Sequence, residues 1–207
     1  MASIAQNPPS ESFEVIIVDD YSPDNTVEIL SIVKGIRLIR NKENLGFIRT
    51  CNHGAEEARG QFLLFLNNDT AVLPGWLDEL KRTFDDNDNV GLVGSKLIYP
   101  DGTLQEAGGI IWQDGSGWNY GRNDNPDKPA YNYLRDVDYC SGASIMVPRK
   151  LFFDVGCFDE RYIPAYYEDT DLAFSLREKG YRVMYQPLSR IVHYEGISSG
   201  TDLNSGV

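Results

Sequence analysis

Phe13-Glu-Val-Ile-Ile-Val-Asp-Asp-Tyr-Ser-Pro-Asp24 is the stretch whose reading decides the fold. Residues 15–18 are a short, unbroken apolar run rich in β-branched side chains, the pattern of a strand buried on both faces. The acidic turn after it offers several helix caps and leads into an amphipathic stretch over 26–33. The same rhythm recurs downstream. Residues 36–39 read as a strand and 47–58 as a helix stopped near Gly60. Phe62–Leu66 reads as a third buried strand that ends in Asn67-Asn68-Asp69-Thr70. Pro74 suits the first turn of a helix over 75–84, and 90–99 is another strand. Strand, loop, helix in this order predicts an α/β fold with a mostly parallel sheet flanked by helices. Ligands in such sheets bind at the carboxyl ends of the strands, where Asp19-Asp20 and Asn67–Asp69 fall.

The second half is more irregular. Residues 100–129, rich in Gly, Asn, Asp and aromatic side chains, read as a long loop with a hairpin. A strand is expected over 138–147, with Cys140-Ser-Gly142-Ala143 inside it. A short helix over 148–155, a helix over 169–179 ended by Gly180, and a strand over 181–185 follow. No internal repeat or low-complexity tract is visible. The division expected is a lead-in or helix remnant over 1–12, one domain over 13–200 and a tail over 201–207.

Composition sets the outer bounds. The chain has 207 residues, 42% of them hydrophobic, enough to bury a core. With 19 basic and 31 acidic side chains the formal charge is −12, which argues against nucleic acid and anionic membrane surfaces as partners. No apolar run approaches the roughly 18–20 residues of a membrane span, and the first residues lack the basic and apolar regions of a signal peptide. Cys51, Cys140 and Cys157 are odd in number and widely spaced, with no CxxC pair, so neither a zinc site nor a disulfide framework is expected. They read as buried or semi-buried thiols in a reducing cytosol, which makes the expected location cytoplasmic, at the inner face of the membrane where an acceptor demands it.

Four constellations could carry chemistry. Asp19 and Asp20 at a strand end can accept hydrogen bonds from a base or ribose, or can simply cap a turn. Asn67-Asn68-Asp69 can hold Mg2+ or Mn2+ bridging to a ligand's phosphates, although one carboxylate is a thin metal site. Tyr166-Tyr167-Glu168-Asp169-Thr170-Asp171 puts three acids at a helix start. Capping explains them, but aromatic neighbours and like charge would also raise the pKa of at least one, as a base near neutral pH needs. His193, after the apolar Ile191-Val192, gains meaning only if it meets Asp69 in space. Asp86–Gly91 lacks the bidentate Glu of an EF-hand, and Gly115–Gly121 misses the dinucleotide glycine spacing.

Taken in order, Val15–Asp24, Asn44-Leu-Gly46 with Asn52-His-Gly54, Leu64–Asp69, Gly142-Ala143, Gly156–Glu160, Glu168–Leu172 with Arg177, Gly180–Val183 and His193-x-x-Gly196-x-Ser198 resemble the family 2 inverting glycosyltransferases. Within that family the look is nearest to the rhamnosyltransferase-like branch of bacterial polysaccharide synthesis. The resemblance covers residues 13–200 and implies a GT-A fold, a nucleotide-diphosphate-sugar donor, a glycan or lipid-linked glycan acceptor, and Mg2+ or Mn2+. It implies that Asp169 is the catalytic base. It places Asp19, Asp20, Ser22, Asn44, Asn52 and Asn68 on the nucleotide, and Asp69 and His193 at the metal. Gly142, Ala143, Glu168 and Asp171 fall on the acceptor or diphosphate side. The chain departs from the family pattern in two places. The metal motif reads Asn67-Asn68-Asp69, and nothing before Phe13 matches the family's first strand, which would lie beside residues 15–18 in mid-sheet. This suggests a truncated product whose open strand edges favour aggregation or a homodimer, with a non-catalytic remnant as the alternative reading.

Overall fold

The computed structural model describes residues 1–194, so Gly196, Ser198 and the proposed 201–207 tail lie outside the described residues. The first half follows the expected rhythm. Helix α1 (Ala2–Gln6) precedes strand β1 (Val15–Asp19), helix α2 (Thr26–Ser31), strand β2 (Ile36–Arg40) and helix α3 (Gly46–Glu57). Strands β3 (Phe62–Leu66) and β4 (Thr70–Val72), helix α4 (Trp76–Asp86) and strand β5 (Val90–Ile98) follow. The second half adds β6 (Leu104–Glu106), the hairpin β7 (Gly109–Ile111) and β8 (Gly117–Asn119), and β9 (Arg135–Asp136). It closes with β10 (Ser144–Pro148), α5 (Arg149–Asp154), α6 (Glu168–Glu178) and β11 (Arg182–His193).

The sheet is mixed rather than mostly parallel. β1 and β2 form a parallel pair of their own. The main sheet runs β3-β10-β5-β11-β4, with β6 on β5 and β9 on β11. In it only β5 and β11 are parallel; β10 runs antiparallel to both β3 and β5, and β4 antiparallel to β11. A local strand–helix rhythm reports consecutive elements, whereas β10 enters between two earlier strands from far along the chain. The runs over 15–18 and 62–66, expected as buried strands, emerge only partly buried; β1 has β2 as its single partner and β3 has β10. No strand lies on the other edge of either among the described residues. The strand expected over 138–147 shortens to Ser144–Pro148, since Gly142 and Ala143 form a turn toward α6.

All nine residues of β5 are buried, because both sheet faces are covered. Leu92 packs with Ile48 and Ala55 of α3, Phe152 of α5 and Leu172 and Leu176 of α6. On the opposite face Leu80 and Trp76 of α4 meet Val93, Leu97, Met146 and Met184. The polar groups in this interior are paired. Ser95 Oγ lies 2.8 Å from both Ser144 Oγ and Ser189 Oγ, and Ser189 donates to Trp76 O at 2.6 Å. The three cysteines are free, as expected.

Candidate functional site

Two groups of acids define the site. The first sits where β1 ends. Asp19 is buried, with its Oδ2 3.2 Å from Arg40 Nε, and its Oδ1 accepts from Ser22 N at 3.3 Å. Asp20 is held on every side. Its Oδ1 accepts from Asn41 Nδ2 and Leu45 N, and its Oδ2 from Gly46 N, each at 2.8 Å. Burial pushes this carboxyl up, yet the hydrogen bonds from Leu45, Asn41, Thr50 and Gly46 outweigh it and leave the group below its ordinary value. Asp20 thus fastens the 41–46 turn to the start of α3, which is the capping outcome. Asn44 is exposed and accepts from Gly46 N at 3.1 Å. Asn52 makes a two-way bond with the backbone of Phe158, donating to its O at 2.8 Å and accepting from its N at 3.1 Å. Asn68 is exposed at the β3 turn.

The second group gathers at the ends of β3, β10 and β11. Antiparallel pairing sets His193 opposite Thr70, and this brings together two residues far apart in sequence. His193 Nε2 faces Asp69 Oδ1 at 3.2 Å, while Nδ1 lies 3.1 Å from Gln105 Oε1. Asp69 Oδ1 is buried and accepts no hydrogen bond. An imidazole that donates from Nδ1 to Gln105 turns a lone pair on Nε2 toward that oxygen. In that form the Nε2 lone pair and the Asp69 carboxylate would both be available to hold a divalent cation. Among the described residues no third His, Cys, Asp or Glu joins them.

A chain of backbone contacts joins this pair to the helix start of α6. Asn67 N donates to Ala143 O at 3.0 Å, and the adjoining Gly142 N donates to Asp169 Oδ2 at 2.8 Å. A Cβ at 142 would stand in ordinary contact, 3.5 Å from Asp169 Cβ, so Gly142 lies directly against the Asp169 side chain. Asp169 Oδ1 accepts from Thr170 N at 2.6 Å and from its hydroxyl at 3.2 Å. Burial raises the Asp169 carboxyl above its usual range, and these hydrogen bonds oppose the rise without cancelling it. Glu168 is pushed up to about 7, first by burial and then by the neighbouring charge of Asp169; its Oε2 is buried without a hydrogen-bond partner. Asp171 accepts from Tyr162 OH at 3.1 Å.

The two groups are tied through α3, because Asp20 caps its first turn while Cys51 lies within electrostatic reach of Glu168. Two depressions lie elsewhere: one of about 360 Å3 runs between Asp136 and Val183, and one of about 340 Å3 lies beside Gly108 and Arg135. Neither is lined by Asp19, Asp69 or Asp169. Gln105, Arg40 and Asn41 are site residues that sequence reading missed. Each works through a partner remote in sequence, and nothing in its own neighbourhood marks it.

The chain matches the family model "Glycosyl transferase family 2" over residues 1–155. It is 34% identical over 159 residues to an O-antigen biosynthesis protein of Myxococcus xanthus, a match covering 73% of this chain and 12% of that protein. It is 27% identical over 215 residues to N-acetylglucosaminyl-diphospho-decaprenol L-rhamnosyltransferase of Mycobacterium tuberculosis, covering 91% of this chain and 68% of that enzyme. The first curated relatives are much longer than this chain, which spans well under half of their length. In fold it matches GalNAc-T7, solved with UDP, GalNAc and Mn2+, at a TM-score of 0.75 and 18% identity, over 93% of this chain and 40% of that one. This likeness establishes the GT-A architecture. Among the described residues no helix is long and apolar enough to cross a membrane.

Proposed function

The chain belongs to glycosyl transferase family 2, and from that premise we propose that it moves a sugar from a nucleotide-diphosphate donor to an acceptor hydroxyl with inversion, in bacterial surface polysaccharide synthesis. One observation carries the reading: the facing Asp69–His193 pair and the raised carboxyl of Asp169 are linked by the contacts of Asn67, Ala143 and Gly142. The O-antigen and rhamnosyltransferase relatives support the substrate class.

The chemistry follows from these groups. Asp169 stands as general base. It takes the proton of the acceptor hydroxyl as that oxygen bonds to the anomeric carbon and the bond to the diphosphate oxygen breaks. A base must be ionised yet basic, and a carboxyl raised by burial, with one oxygen steadied by Gly142 N, meets both needs. A single displacement inverts the centre and needs no enzyme nucleophile. Asp69 and His193 would hold Mg2+ or Mn2+, which when bound supplies positive charge against the charge gathering on the departing diphosphate. Asp19, Ser22, Asn44 and Asn68 lie on the nucleotide side, where Asp20 and Asn52 act by fixing the loops around them. Glu168 and Asp171 flank the base, and Gly142 and Ala143 floor the acceptor side.

Calorimetric titration with UDP, dTDP and GDP in the presence of Mn2+ tests this. At least one should bind, and Asp69→Ala should abolish it; a folded chain that binds none overturns the proposal. The open edges of β1 and β3 favour a second reading, a non-catalytic dimer joined through those edges. Detectable sugar transfer eliminates it, as does a monomer in sedimentation.

A further inference from the structure

The site as described accounts for the acids and leaves a set of aromatic rings unused. The chain has three tryptophans. Trp76 is buried and donates from Nε1 to Asn7 O at 3.0 Å. Trp112 and Trp118 instead stand about half open, at 52% and 55% exposure, with ring centroids 6.4 Å apart and a tilt of 39°. They follow from the register of the β7–β8 ribbon. Ile110 is opposite Trp118, and Trp112 N donates to Ser116 O, so the two indoles are diagonal neighbours on one face. Large apolar rings left open side by side mark a binding surface.

The ribbon is anchored beside the base. Gly109 N donates to Tyr139 O at 2.8 Å, and the Tyr139 ring lies so close to Gly109 that a Cβ there would stand 2.0 Å from it. Tyr139 OH donates to Asn119 Oδ1 at 3.1 Å. Asp138 receives Ile111 N on one oxygen and Arg177 of α6 on the other, each at 3.0 Å. Tyr139 also lies within electrostatic reach of Asp169 and of Tyr167. Tyr166 and Tyr167, immediately before Glu168, hold left-handed φ of 79° and 70° and leave their rings 58% and 48% exposed. Non-glycine residues pay for such φ values only where their surroundings require them, and such strain clusters at functional sites.

We propose that Trp112 and Trp118 form a stacking platform for a neutral pyranose of the acceptor. The proposal rests on the glycosyltransferase reading and names the acceptor subsite of that same site. The occupant follows from its chemistry. A pyranose presents an apolar C–H face to the negative face of an aromatic ring, and a rim of hydroxyls to the polar groups that flank the indoles, Asp114 and Ser116 in the ribbon's turn. A two-stranded ribbon gives a narrow flat surface rather than a groove for a helix. The chain's charge of −12 disfavours anionic lipid headgroups.

Saturation-transfer NMR of the intact chain tests this with the methyl glycosides of N-acetylglucosamine, galactose and rhamnose as probes. At least one should receive saturation on the C–H protons of one ring face. Combined Trp112→Ala and Trp118→Ala should weaken that binding roughly three- to tenfold per ring removed. Trp112→Phe with Trp118→Phe, which keeps a ring at each place and the ribbon intact, should retain most of it. The platform is overturned by no transfer from the wild-type chain to any of the three probes, or by transfer that the alanine pair leaves unchanged. UDP binding with Mn2+, measured on the same samples, separates the two ideas. Its persistence without saturation of any glycoside sinks the platform alone. Its absence sinks the donor reading, while glycoside saturation that disappears in the alanine pair still upholds the platform.

Discussion

Asp20 and Glu168 both carry a carboxylate near the ends of α3 and α6, and their surroundings treat them in opposite ways. Asp20 accepts hydrogen bonds from two backbone amides and an asparagine, so its charge is stabilised and its pKa falls. Glu168 is buried against Asp169, keeps one oxygen unpartnered, and rises to about 7. The contrast teaches that an acid at a strand end or helix start is structural or chemical according to how many donors the fold aims at it. A satisfied carboxylate holds a loop. An unsatisfied one is a store of proton affinity, which costs stability and serves a reaction.

The largest effect that would sharpen this contrast lies with the neighbour of Glu168. Asp169→Asn should lower the rate of sugar transfer about a thousandfold, within the range of a lost general base, while UDP binding measured by calorimetry stays close to wild type. An equal loss in both would strip Asp169 of its role. Next comes pH. For Glu168 the folded value, about 7, lies above the ordinary 4.5. The folded state therefore binds more protons than the unfolded chain between these values. Stability should fall as pH rises from about 4.5 to 7, by up to about 3 kcal/mol. Denaturant midpoints across that window should show the slope, and Glu168→Gln should flatten it. An unchanged slope in the variant would place its origin elsewhere.

Asp20 should behave with the opposite sign. Its folded value lies below 3.8, so its contribution is present above that value and disappears as pH falls through the folded one. Asp20→Ala, which orphans the amide of Leu45 and leaves that of Gly46 only its weaker bond to Asn44, should cost about 2 kcal/mol in denaturant unfolding at neutral pH. A neutral outcome would break the comparison, since Asp20 would then hold nothing. The smallest effect expected is that of Asn52→Ala, about 1 kcal/mol, from removing two bonds to the Phe158 backbone; wild-type stability in this variant would show that the 157–160 loop is held without them.

The same division explains how much of the site was legible. The acids at 168, 169 and 171 were visible because a helix start is a local event, and aromatic neighbours and like charge close in sequence led to the expectation of a raised pKa for at least one of them; in the fold, burial is the first cause at Glu168 and Asp169. His193 was readable as a candidate only on the condition that it met Asp69, and the β4–β11 pairing supplies that meeting. The three-residue β4 was too short to show a period, and Gln105 sat in a stretch that read as loop. The fates of Asp20 and Asn52 were likewise hidden, because the donors that occupy them lie about 20 to 100 positions away in sequence.

Sequence alone determined the α/β class, the order of strands and helices in the first half, the helix beginning at Glu168-Asp169, and the acidic chemistry placed at strand ends. Those features depend on contacts within a few residues, where hydrophobic period and capping act. Tertiary structure decided that the sheet is mixed, that β10 enters between β3 and β5, which acids are satisfied by distant donors, and that Asp69 faces His193. Each of these depends on which surfaces of a folded chain come to share one interior, and local pattern carries no record of that choice.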